Sequence, residues 1–168
     1  YTLYRSANGQ DFTALDVPNG FAHITDIEVA PSDADELWIS LSNYTSATKV
    51  LHSTDGGDSW TSISNGLPPA PINTLAIDVA GSGDVYAGTD VGIYHLAEGS
   101  SDWVRLSEGL PNVVVTDLVL HAPSGRLVAA TYGRGLYTLD LPDPPSLDAA
   151  LGRLLSPRGA HCDSVVHP

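Results

Sequence analysis

Apolar residues recur along this chain at every second position, in short runs. Leu37, Ile39 and Leu41 share one side of an extended segment, and Ile24 to Ala30 alternates Thr, Ile and Val against Ile, Asp, Glu and Ala. Val50 to Ser53 and Trp60 to Ser64 make a third and a fourth run. Runs of about four to eight residues rich in Val, Ile, Thr, Tyr and Trp, with turns roughly every 8–12 residues, predict an all-β fold. Helical spacing is absent until the C-terminal tail. There Leu147, Leu151, Leu154 and Leu155 would share one side of a short helix capped by Ser146 and weakened by Gly152.

The runs themselves repeat. Leu3-Tyr4-Arg5-Ser6 is followed by Val50-Leu51-His52-Ser53, then Ile93-Tyr94-His95-Leu96, then Leu136-Tyr137-Thr138-Leu139, at offsets of 47, 43 and 43 residues. Asn65-Gly66-Leu67-Pro68 and Glu108-Gly109-Leu110-Pro111 keep the same beat, and Asn19-Gly20-Phe21 is a weaker first copy. Ala87-Gly88-Thr89 before Gly92 matches Ala129-Ala130-Thr131 before Gly135. A period of about 43 residues with four strands per unit selects the β-propeller, built of four-stranded blades around a channel.

With strands a to d labelled from the axis outward, the chain reads c-d, a-b-c-d, a-b-c-d, a-b-c. The expected organisation is propeller over 1–142: a part-blade 1–20, blades 21–68 and 69–111, and a part-blade 112–142. Residues 143–168 form a Pro-rich linker and tail with the short helix. Pro142, Pro144 and Pro145 argue against a fourth strand in the last blade. Propellers close with roughly four to eight blades, so about three blades need completion by another chain segment or by self-association. The sequence starts at Tyr1 and contains no methionine, which reads as a processed protein or a fragment.

Charge narrows the partners. Seven basic residues face twenty acidic ones, a net −13, and Lys49 is the only lysine. Nucleic acid and anionic membrane surfaces are excluded, because both need clustered Lys and Arg. No apolar stretch approaches the ~18 residues of a membrane-spanning helix. One cysteine, Cys162, rules out a disulfide scaffold.

Ser53-Thr54-Asp55-Gly56-Gly57-Asp58-Ser59-Trp60 matches the pattern Ser-x-Asp-x-Gly-x-x-Trp. It resembles the Asp-box, or bacterial neuraminidase repeat, of sialidases, xyloglucanase-type glycoside hydrolases, sortilin-like receptors and a photosystem assembly factor. Gly133-Arg134-Gly135-Leu136-Tyr137 resembles the propeller-ending segment of the sortilin and xyloglucanase branch. The resemblance covers residues 1 to about 142. It implies a structural turn on the outer rim, with Ser53, Asp55, Gly57 and Trp60 as its fixed positions. It also implies an extracellular or periplasmic setting. The other copies are degraded: Ser6 to Phe12 is one residue short and ends in Phe, and Leu96 to Trp103 keeps the Trp but has Leu for Ser and Glu for Asp.

Chemistry is sparse. Sialidases bind substrate through three convergent arginines, and none of Arg5, Arg105, Arg126, Arg134, Arg153 or Arg158 stands in that family's arginine motif. Glycoside hydrolysis otherwise needs two carboxylates about 5–9.5 Å apart. Asp90, in a loop between strands b and c, and Asp117, on an innermost strand, are weak catalytic candidates. Asp26 and Asp117 share a repeat context that favours a structural role. The six histidines carry no metal motif, and His52 and His95 are repeat-equivalent packing residues. No cofactor is expected. Tyr44, Trp38, Tyr86, Tyr132 and Phe21 are the aromatics for a sugar platform, and Tyr132 with Arg134 is the candidate ligand or partner contact. The expected function is a non-catalytic binding or scaffold module for a protein or polysaccharide. The alternative is part of a secreted glycoside hydrolase whose second carboxylate lies elsewhere.

Overall fold

The computed structural model describes residues 2–18, 20, 22–44, 47–78, 82–106, 109–141 and 154–155. A two-stranded sheet comes first, β1 (Leu3–Arg5) and β2 (Thr13–Leu15). Three four-stranded antiparallel sheets follow. They are β3 (His23–Val29), β4 (Leu37–Ser42), β5 (Val50–Ser53) and β6 (Thr61–Ser62); β7 (Ile72–Ile77), β8 (Val85–Thr89), β9 (Gly92–Leu96) and β10 (Val104–Leu106); and β11 (Val115–His121), β12 (Arg126–Thr131), β13 (Gly135–Asp140) and β14 (Leu154–Leu155). Each sheet is a meander whose first strand lies innermost, with β7 against both β3 and β11. This is a partial β-propeller of three blades and an outer fragment of another. Among the described residues no helix is long and apolar enough to cross a membrane.

Apolar clusters fill the spaces between successive sheets. Leu75, Val85, Ala87, Tyr94 and Trp103 of the second blade meet Trp38 and Val50 of the first. Tyr86 and Ile93 meet Val115, Leu118, Leu127 and Leu139 of the third. Because such a sheet is covered on both faces, its middle strands lose the simple alternation, and all of β8 is buried. Gly88 sits at the closest approach. A Cβ there would lie 2.6 Å from Thr74 Cγ2 and 2.8 Å from Val115 Cγ1. Gly88→Ala is expected to cost about 1–3 kcal/mol by overpacking, read as a lower Tm with unchanged β-sheet circular dichroism.

The inner strands share a device that the sequence pattern does not announce. Each is bulged at its start, between Ile24 and Asp26, Ile72 and Thr74, and Val115 and Asp117. In the first two blades the bulged side chain crosses to the next. Thr25 Oγ1 donates to the Ile72 carbonyl at 2.6 Å, and Asn73 Nδ2 donates to the equivalent Val115 carbonyl at 3.0 Å. Asp26 adds a second tie, its Oδ2 accepting the Leu75 N–H at 2.8 Å. Buried backbone groups that no ladder reaches are thereby satisfied.

The tail corrects two expectations. Leu154 and Leu155 pair as β14 with Leu139 and Thr138, so the last blade has a fourth strand and these two residues are not helical. The open edge of β13 offers backbone hydrogen bonds, and Leu154 and Leu155 take them up. The rest of the expected helix, 147–153, lies outside the described residues, as does Phe21.

Candidate functional site

Antiparallel meanders send their loops to two opposite ends. The a–b and c–d loops share one end, and the b–c and d–a loops share the other. The 53–60 turn is a c–d loop, and its groups serve the turn. Ser53 Oγ donates to Asp55 Oδ1 at 2.8 Å and accepts the Gly57 N–H at 2.8 Å. Ser59 donates its N–H to Asp55 Oδ1 at 2.8 Å and its hydroxyl to Oδ2 at 2.6 Å. Gly56 and Gly57 stand at φ 68° and 92°, in the region that favours glycine. Arg5 Nη1 reaches the Gly56 carbonyl at 2.6 Å and Nη2 pairs with Asp58 at 3.0 Å, joining β1 to the turn. Trp60 is half-buried beside Ile39, Leu41 and Leu51, and its Nε1 has no partner among the described residues.

The hydroxyl and N–H bonds from Ser59 and the hydroxyl of Ser53 hold the Asp55 carboxyl down to about 2. Its stabilising contribution is present above the ordinary pKa of an aspartate and lost as pH falls through the depressed value. Wild type is therefore expected to lose stability between pH about 4 and 2, and Asp55→Asn to lose less of it over that window, in thermal melts.

The other end holds Asp90 and Tyr132. Asp90 Oδ2 accepts the Tyr44 hydroxyl at 2.9 Å and Oδ1 accepts the Asn73 amide at 3.0 Å. Tyr44 belongs to the preceding blade's b–c loop, so this clamp spans two blades. The bond to Asp90, and then its charge, push the Tyr44 phenol up. Next to the clamp, Thr89 Oγ1 accepts the Val91 N–H, and Arg105 Nη2 donates to the Val91 carbonyl and to Asn112. A cavity of about 520 Å³ opens beside Tyr44, lined by Lys49, Ser64, Asn65, Leu67 and Pro69. Lys49 is 4% exposed, and its Nζ donates to the Asn43 carbonyl and Oδ1 at 2.8 and 3.2 Å. Burial lowers its pKa.

Tyr132 is 78% exposed in the β12–β13 loop, and Arg134 is exposed beside it. Among the described residues, no side-chain hydrogen bond joins either to Asp90. Of the other platform candidates, Tyr44 is exposed, whereas Trp38 and Tyr86 are buried. Each instead stacks on a strand-c histidine, Trp38 on His52 and Tyr86 on His95. His52 Nε2 lies 3.1 Å from Glu36 and His95 Nε2 lies 2.7 Å from Asp84. The spacings Glu36-x-Trp38 and Asp84-x-Tyr86, each facing a His, were the signal available in the sequence.

Asp117 is exposed on β11. Its charge and that of Asp26 add to burial in raising the Glu28 carboxyl. Ionised Glu28 is thus disfavoured in the fold, and stability falls as pH rises through its raised value. Glu28→Gln is expected to raise Tm at pH 7 and to give no gain below pH about 4. Among the described residues no group of three or more His, Cys, Asp or Glu is placed to hold a metal ion.

Solved structures share this fold. A glycoside hydrolase 74 xyloglucanase from Xanthomonas campestris matches 83% of the chain at 16% identity and TM-score 0.65, with the chain spanning 25% of its length. PorZ, a surface component of the type-IX secretion system of Porphyromonas gingivalis, matches 80% at 19% identity and TM-score 0.61, over 22% of its length. YCF48 bound to D1 peptide matches 77% at 25% identity and TM-score 0.53, over 42% of its length. All are β-propeller proteins. No family model matches the sequence, and no curated protein matches it.

Proposed function

We propose that this chain is a non-catalytic binding or scaffold segment of a propeller, presenting a protein or polysaccharide ligand site on the end that carries Tyr44, Tyr132 and Arg134. The observation that carries this reading is the Asp90 clamp. A general acid or base must be free to reach the reacting atom. Both Asp90 oxygens are instead spent on Tyr44 and Asn73, in a tie between blades. Exposed tyrosines beside a cavity suit recognition, since each offers a large apolar face with a polar tip. In this reading the 53–60 turn is a structural Asp-box, other polypeptide or a second copy completes the ring, and the setting is extracellular or periplasmic.

The rival is part of a glycoside hydrolase of the xyloglucanase type. The exposure of Asp117 on an innermost strand favours it, with the second carboxylate supplied elsewhere in the ring. A glycan and peptide array, read with wild type and with Tyr132→Ala/Arg134→Ala, separates the two. Retention of a ligand by wild type, weakened at least about tenfold in the double variant, is the expected result, together with no reducing ends released from xyloglucan. Release by wild type that Asp117→Asn abolishes would establish the hydrolase instead.

A further inference from the structure

The cavity beside Tyr44 is walled by a loop that the later blades lack. Seven residues connect β4 to β5, against two between β8 and β9 and three between β12 and β13. Lys49 ends that loop. At the offset of 43 residues that aligns Val50 with Ile93, and Ile93 with Leu136, Lys49 falls on Gly92 and then Gly135. The blade itself therefore does not call for a lysine there. The side chain is nonetheless buried, its Nζ donating to the Asn43 carbonyl and Oδ1. Arg5 and Arg126 each pair with an aspartate, but among the described residues no carboxylate lies within ion-pair distance of Lys49. A chain with twenty acidic residues has placed none of those described against its buried ammonium. A buried charge is costly unless paired, and an ammonium has three donors, of which two are used here.

We infer that this cavity binds a single uronic acid unit of an otherwise neutral glycan, its carboxylate accepting the third N–H of Lys49 Nζ. The inference rests on the reading that this end of the propeller presents a ligand site, and it names the class of ligand. A carboxylate supplies the counter-charge that the fold leaves out, in a charge-assisted hydrogen bond. The rest of the wall suits a sugar ring. Tyr44 offers an exposed aromatic face, and Ser62 and Asn65 are exposed polar groups for ring hydroxyls. Leu67 and Pro69 are the only other side chains of the wall that are apolar and larger than alanine, too few to give a peptide its side-chain pockets. A volume of about 520 Å³ is in the range of small-ligand sites. The net −13 of the chain repels a polyanion, which limits the ligand to one carboxylate. The acids adjoining the wall are already engaged: Asp90 accepts the Tyr44 hydroxyl and Asp102 the Asn65 amide, and neither lines the cavity.

The probe is methyl glucuronide, with methyl glucoside and acetate as its neutral and ring-free counterparts. Lys49 is the only lysine, so selective carbon-13 labelling of lysine gives one signal that reports on this side chain. Methyl glucuronide is expected to shift that signal to saturation and to bind at least about tenfold tighter than methyl glucoside, as the loss of a charged hydrogen bond requires. Lys49→Met keeps the buried stem and should bring the two glycosides to equal affinity, with the fold checked by its Tm. If that variant does not fold, the comparison of glycosides on wild type decides alone. The inference is overturned if methyl glucoside binds as tightly as methyl glucuronide, if acetate does, or if the lysine signal stays in place. Tighter binding of an acetylated aspartyl dipeptide would overturn it in favour of a peptide. The parent reading falls separately, when the glycan and peptide array retains no ligand. A neutral glycan retained there, with methyl glucuronide unbound, would sink the acidic sugar and leave the binding module standing.

Discussion

Trp103→Ala is expected to be the most damaging single substitution in the second blade, at about 3–5 kcal/mol, the range for emptying a buried aromatic site. Trp103 is 3% exposed and packs in the cluster between the first and second blades. Its Nε1 donates to the Ile63 carbonyl at 2.9 Å, and its own N–H donates to the Asn65 carbonyl at 2.9 Å. Space is tight on that side, since a Cβ on Gly66 would meet the Trp103 backbone. Truncation therefore opens a cavity and also orphans a carbonyl, and those costs add. At roughly 2–4 °C per kcal/mol for a chain of this size, Tm should fall by roughly 6–20 °C. Trp103→Phe separates the two terms, because it fills most of the cavity and still loses the bond to Ile63. A fall of under 2 °C for Trp103→Ala, by differential scanning calorimetry, would show that the two blades do not unfold as one unit.

That residue also shows how much of the molecule was legible. The Trp at the end of each repeat is visible in Trp60 and Trp103, although the turn before Trp103 has lost its Ser and its Asp. The apolar partner survives because it serves packing between blades, while the polar turn can be replaced by other loop chemistry. The strands and the 43-residue beat were readable for the same reason. A blade buries its residues by position, so equivalent places keep equivalent character.

The ties between inner strands were not readable. Thr25 and Asn73 differ in residue type, and their partners are backbone carbonyls 47 and 42 residues away, which leave no side-chain signature. The repeated context of Asp26 and Asp117 did point to a structural position, but not to the N–H that Asp26 accepts. The Asp90 clamp was equally hidden, because Tyr44 stands in a b–c loop longer than the equivalent loops of the later blades. Leu154 and Leu155 depart from the helical pattern for a different reason. Periodicity reports the side a helix would bury, and the open edge of β13 is a tertiary feature that no local pattern records.

If the inner ties hold the blades in register, removing them should act on the interface between the first two blades. Thr25→Val keeps the side chain's shape and removes its bonds to the Ile72 carbonyl and to Ser40 Oγ. Asp26→Ala frees the Leu75 N–H. Each leaves a buried or half-buried backbone group unpaired, at about 1–3 kcal/mol. The pair of substitutions should lower Tm by several degrees. Their location in the fold is the sharper readout. Faster amide exchange is expected at Leu75 and along β3 and β7, while β11 to β13, tied through Asn73, keeps its protection. Uniform acceleration across all three blades would mean that the segment opens only globally and that the ties add stability without setting register. Unchanged exchange at Leu75 would mean that apolar packing around Val50, Ile72 and Leu75 holds the interface alone.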